Sequence, residues 1–173
     1  MCDADLYAVP YNSRKGGTAA KIPGASDPNV EEYYPAYSPD DAWLAYDTAP
    51  SGSTMYSQPL AEVSVIPAAG GTPTRLIAND PPACTGATSP GVTNSWPKWA
   101  PQATTFAGKT YYWIIFSSTR DADKSPQLYI TGVVVQGTTV KSYAAIYLWN
   151  QPAAEHNHTP AWDFFKIPPP VPR

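Results

Sequence analysis

Tyr34-Pro35-Ala36-Tyr37-Ser38-Pro39-Asp40-Asp41, followed by Trp43-Leu44-Ala45-Tyr46, is the stretch on which the reading of the fold turns. Proline fixes φ and has no N–H to donate, so an aromatic-Pro-x-aromatic string suits a short strand beginning at an edge or bend. In Ser38-Pro39-Asp40-Asp41 the proline presets φ for a tight turn, and the aspartate beside it offers an oxygen to local amides. The chain then re-enters as an aromatic and aliphatic strand. Farther on, residues 62–66 and 74–77 flank Gly70-Gly71 and predict a hairpin. The unit is therefore four antiparallel strands.

The same unit recurs. Trp96-Pro97-Lys98-Trp99-Ala100-Pro101 leads, after an insertion, to Tyr111-Tyr112-Trp113-Ile114-Ile115-Phe116, and a third copy opens at Thr159-Pro160-Ala161-Trp162-Asp163. The leading prolines stand at 35, 97 and 160, intervals of 62 and 63 residues. Near-equal spacing of one motif marks a repeat architecture.

Ser38-Pro39-Asp40-Asp41 with Trp43-Leu44-Ala45-Tyr46, closed by Gly70-Gly71-Thr72-Pro73-Thr74-Arg75-Leu76, resembles the TolB-type β-propeller repeat, a relative of the WD repeat. Phe116-Ser117-Ser118-Thr119-Arg120-Asp121 and Gln127-Leu128-Tyr129-Ile130 resemble the same family's junction between second and third strands. The resemblance covers nearly the whole chain and implies an all-β fold, a β-propeller segment of four-stranded antiparallel blades. The repeats here are longer than is typical of that family, with insertions at 51–60, 79–94 and 102–109 expected to form loops on the faces of the propeller, where binding residues gather.

Asp5-Leu6-Tyr7-Ala8-Val9-Pro10 matches Glu62-Val63-Ser64-Val65-Ile66-Pro67, and Gly16-Gly17-Thr18-Ala19-Ala20-Lys21-Ile22 matches the Gly70-Gly71 segment. The expected layout is the second half of a blade at 1–30, a blade at 31–80, an inserted loop at 81–95 and a blade at 96–152. The first half of another follows at 153–167, then a Pro-rich tail at 168–173. Two whole blades and two half blades do not close a ring of four to eight. Either the chain is a fragment of a longer propeller, or a homodimer pools its half blades and closes the ring.

Composition narrows the function classes. Aromatic residues make up 13% of the 173 and there are 21 prolines, a balance suited to short strands and structured turns. Charged residues are only 14% and the formal net charge is −3, which argues against a phosphate-neutralising surface and so against nucleic acid as a partner. No apolar run approaches the roughly 18 residues of a membrane helix, and the first residues lack the apolar core of a secretory signal. A content rich in Tyr, Trp, Thr, Pro and Gly, together with the TolB resemblance, points to a periplasmic or extracellular setting.

Several constellations carry candidate chemistry. His156 and His158, the only two histidines, lie two apart, so in an extended segment their imidazoles share one side and suit a divalent metal, with Glu155 or Asp163 as a carboxylate third ligand. The pair is similar to the His-x-His of propeller-shaped pectate-type lyases, although no third histidine exists here. The competing reading is a polar loop entering a blade. Asp121-Ala122-Asp123-Lys124-Ser125 alternates oxygen ligands like a calcium loop, but Pro126 stands where the sharp turn needs glycine. No Gly-x-Ser-x-Gly elbow supports serine hydrolysis.

Most aromatics occupy repeat positions and read as packing between blades. Tyr111, Tyr112 and Trp149 are less constrained and are candidate ligand-binding side chains. Cys2 and Cys84 are a candidate disulfide. Three functions compete: a non-catalytic binding or scaffold module mediating protein interaction or assembly, part of a metal-dependent propeller enzyme using His156 and His158, and a carbohydrate-binding or structural assembly subunit.

Overall fold

The computed structural model describes residues 4–121, 125–152 and 154–163. In chain order the strands are β1 (Tyr7–Ala8), β2 (Ala20–Lys21), β3 (Val30–Tyr37), β4 (Trp43–Pro50), β5 (Glu62–Pro67) and β6 (Thr74–Arg75). There follow β7 (Ser95–Trp99), β8 (Thr104–Phe106), β9 (Lys109–Ser118), β10 (Gln127–Gln136), β11 (Thr139–Ser142) and β12 (Ile146–Tyr147). All pairings are antiparallel. The described fold is thus mostly β.

The two prolines act alike. Neither Pro35 nor Pro97 can donate to a ladder, and the β3/β4 register slips between Tyr33 and Ala36 as the β7/β9 register slips between Ser95 and Lys98. The residue before each proline takes a left-handed backbone, Tyr34 at φ 52° and Trp96 at φ 60°. An L-residue pays about 1–2 kcal/mol for that conformation, so its appearance at both equivalent positions marks a constraint of the repeat.

The first sheet runs β3-β4-β5-β6. Its Ser-Pro-Asp-Asp turn forms as read: Ser38 Oγ donates to Asp40 Oδ1 at 2.6 Å, the Asp41 amide to the Ser38 carbonyl at 2.9 Å, and the Trp43 amide to Ser38 Oγ at 3.0 Å. The second sheet runs β7-β9-β10-β11, with β8 added along β9 and β12 along β10. The 102–109 segment, expected as a loop, is instead a hairpin. Phe106 faces Lys109, and Ala107 and Gly108, at φ 49° and 72°, supply the two-residue turn that follows strand twist.

Strand β4 is buried on both faces because it lies between two layers. Trp43 and Ala45 pack with Val63, Val65 and Leu76 against Trp99, Tyr112, Ile114 and Phe116 of the second sheet. Leu44 and Tyr46 pack with Ile66 against Leu6, Ile22 and Ala25 of the β1–β2 hairpin. Each fully buried large apolar side chain contributes about 1.5–3 kcal/mol, and the three layers share these contacts in sequence.

Backbone closures repeat with the layers. The Ile22 amide donates to the Leu6 carbonyl at 3.0 Å, Leu76 to Val63 at 3.1 Å and Leu148 to Leu128 at 3.2 Å. Lys21 pairs with Asp5 as Arg75 pairs with Glu62. The side-chain amide of Asn79 accepts from the Val63 amide at 2.8 Å and donates to the Val63 and Leu76 carbonyls. Gln151 does the same to Leu128 and Leu148. The counterpart of β6 in the second sheet is therefore β12, and β11 belongs to an extended hairpin tip.

Layers meet closely at their turns. Gly24, at φ 87°, would place a Cβ 1.9 Å from the Gly71 carbonyl oxygen, and the Gly71 amide donates to the Pro23 carbonyl at 2.9 Å. Residues 159–163 form no strand, yet the Trp162 indole reaches the Lys98 carbonyl. Residues 164–167 of the half blade expected at 153–167, and the Pro-rich tail, lie outside the described residues.

Candidate functional site

Where β3, β7 and the 154–163 segment run side by side, aromatic rings of successive repeats meet. The Tyr34 and Trp96 rings stack at 3.8 Å with 18° between planes, which the left-handed backbone before each proline makes possible. Tyr33 meets Tyr34 edge-on at 5.0 Å, and His158 meets Trp96 edge-on at 6.5 Å. On its other side His158 stacks on Tyr56 at 5.0 Å with planes 2° apart, and Ser57 Oγ lies 3.3 Å from its Nε2.

Tyr56 and Ser57 come from the 51–60 insertion, which forms an ordered loop. Gln58 holds it from within, donating to the Thr54 carbonyl at 3.1 Å and accepting from the Leu60 amide at 3.1 Å. The histidine segment is pinned from the opposite side. The Asn157 amide donates to the Pro126 carbonyl at 2.9 Å, Asn157 Nδ2 to Gln127 Oε1 at 3.0 Å, and Gln127 Nε2 to the Glu155 carbonyl at 2.8 Å. With Asn157 turned to the protein, His156 and His158 both line a cleft of about 550 Å³ shared with Tyr56, Ser57, Thr93 and Thr119.

Beneath the rings Asp47 is fully buried and accepts from Ser95 Oγ and, at 3.2 Å, from the Trp96 amide. Burial pushes its carboxyl well above the usual range, against the lowering pull of Ser95, the Trp96 amide and Lys98. Burial, followed by Asp47, raises the Tyr33 hydroxyl and that of Tyr34 as well. Asp47 Oδ1, Tyr33 Oη and Trp96 Nε1 are buried without protein partners. Such atoms cost free energy unless a polar group meets them, so this cluster retains hydrogen-bonding capacity.

The other expected residues disperse. Among the described residues no three of His, Cys, Asp and Glu gather to hold a metal ion, so neither Glu155 nor Asp163 joins the histidine pair in such a group. Tyr112 is 3% exposed, correcting its expected freedom: its ring packs in the core and its hydroxyl donates to Asp40 Oδ2 at 2.7 Å, tying the second sheet to the first sheet's turn. Burial would raise Asp40, but donation from Ser38, Tyr112 and the Ala42 amide holds it below the ordinary value. Tyr111 and Tyr112 border a different hollow, of about 360 Å³, and Trp149 stands apart, 85% exposed. Cys84 is exposed with a free thiol, and Cys2 lies outside the described residues, as do Ala122, Asp123 and Lys124 of the calcium-like stretch.

Sequence reasoning missed Tyr56, Ser57 and Trp96 as companions of the histidines. One signal was available: an exposed aromatic inside a polar insertion. Comparison with protein-family models, with curated proteins and with solved structures found no match for this chain.

Proposed function

We propose that the chain is a TolB-like β-propeller segment, its sheets standing as successive blades around an axis near Tyr34 and Trp96. It acts as a non-catalytic binding module that takes a protein partner in the His156–His158 cleft, in a periplasmic or extracellular setting. The carrying observation is the Tyr56–His158 stack, which joins an insertion of one repeat to the opening of another, 102 positions later in sequence, beside the Tyr34–Trp96 stack. The Tyr56 and His158 ring faces beside the Ser57, Thr93 and Thr119 side chains of the cleft suit an extended peptide, whose side chains need apolar surface and whose backbone needs hydrogen-bond partners.

An array of extended peptides run beside a glycan array tests this. Peptide hits that lose at least tenfold in affinity with Tyr56→Ala, while the variant keeps its near-ultraviolet circular dichroism, support the reading. Glycan hits with the same dependence on Tyr56 would move the site to the carbohydrate-binding class. Hits indifferent to Tyr56 would remove the cleft from the account.

A further inference from the structure

The second sheet carries an apolar face whose counterpart one repeat earlier is covered. Strand β3 pairs Tyr37 with Leu44, and β7 pairs Trp99 with Ile114, so Trp113 and Ile115 correspond to Trp43 and Ala45; Ile115 is itself 5% exposed, which leaves Trp113 as the open position of the two. Trp43 is 7% exposed beneath the second sheet, whereas Trp113 is 47% exposed beside Tyr143 and Ile146, at 45% and 61%. These side chains border the hollow of about 360 Å³.

The β1–β2 hairpin shows the complementary case. Leu6, Ala8 and Ile22 face the first sheet, and the intervening Tyr7 and Val9 stand 52% and 55% exposed on its other side. By its closures and ion pair this hairpin corresponds to β5–β6, the third and fourth strands of a unit. The 159–163 segment corresponds to the first strand of a unit, since Trp162 bonds Lys98 as Trp99 bonds Ala36.

We propose that the two faces are the halves of one interface between two copies of this chain. The β1–β2 hairpin of the second copy supplies the third and fourth strands of the unit that the 159–163 segment of the first opens, turning Tyr7 and Val9 toward Trp113 and Ile146. Each copy offers both faces in the same repeat order, so the contact is head-to-tail and closes when each copy receives the other's hairpin. The inference rests on the propeller reading but not on the cleft.

Light scattering on the full chain across the micromolar range tests it. The expected mass is twice that of the monomer. Val9→Arg and Trp113→Arg should each give monomer, and mixing the two variants should restore dimer, since one interface then joins two intact faces. Tyr143→Glu serves if Trp113→Arg fails to fold. A wild-type monomer overturns the proposal, and so does a dimer that Trp113→Arg abolishes and Val9→Arg leaves intact, which means the sheet face pairs with itself. Protected Trp99 and Trp162 indole N–H signals in a monomer sink the interface alone. Their loss sinks the stacked repeat as well.

Discussion

The indole Nε1–H of Trp162 donates to the carbonyl oxygen of Lys98 at 3.1 Å, the bond that Trp99 makes to Ala36 one repeat earlier at 2.9 Å. Two tryptophans 63 positions apart thus fasten their segments to the preceding unit through the same atoms. Replacing either by phenylalanine keeps most of the apolar area and leaves a carbonyl unpaired. A loss of about 1 kcal/mol is expected from each, and chemical denaturation of Trp99→Phe, with an unchanged m-value, checks it.

Gly24 permits the turn-to-turn contact between layers. With φ at 87° and a Cβ position 1.9 Å from a backbone oxygen, Gly24→Ala must shift a turn. The expected cost is about 2 kcal/mol or more. Gly86→Ala, with no atom within 4 Å but φ 68°, should pay the backbone penalty alone and so destabilise less. Comparing thermal midpoints of the two variants separates crowding from strain.

Asn79 and Gln151 bracket the last strand of their units with one side-chain amide each. Asn79→Ala leaves the Val63 amide and two carbonyls without that partner in a fully buried site, for an expected loss of about 2–4 kcal/mol. Gln151→Ala is expected to cost less, because Gln151 is only half-buried and water can reach its partners. Urea denaturation of the two variants orders them.

Asp47 gives the fold a distinctive pH dependence. Its folded-state carboxyl titrates above the unfolded one, so the folded protein binds the proton more tightly. Its contribution is intact below the ordinary carboxylate range and is lost as pH rises through that range toward the folded value. Asp47→Asn removes this titration. Wild type should lose stability relative to Asp47→Asn as pH rises above the ordinary aspartate value of about 4, and a difference that stays constant as pH rises from there in paired denaturation curves would refute the assignment. Asp40 and Glu62, held low by their donors, act oppositely and weaken the fold as pH falls below the unfolded carboxylate value.

The antiparallel strands and their turns were legible in the sequence because their devices are local. Pro35 and Pro97 disturb their ladders, Ser38 and Asp40 close their turn, and Gly70-Gly71 lies between β5 and β6, whatever surrounds them. What was illegible depends on layers meeting. Tyr112 looked free because nothing near it in sequence announces Asp40 as its partner, 72 positions away. The cleft was half visible: His156 and His158 stood out by rarity, whereas the roles of Tyr56 and Trp96 arise only when an insertion and two repeats converge. Hairpin β8–β9 was hidden because Ala107 is an uncommon residue for a left-handed turn position.

Hydrogen exchange of the six tryptophan indole N–H groups, followed residue by residue by NMR on the full chain, tests the stacked repeat most directly. The account predicts slow exchange at Trp99 and Trp162, both bonded to the preceding unit, and fast exchange at the exposed Trp149. Trp162 exchanging as fast as Trp149 while Trp99 stays protected would contradict a third unit seated on the second. Fast exchange at both Trp99 and Trp162 would contradict the repeat itself.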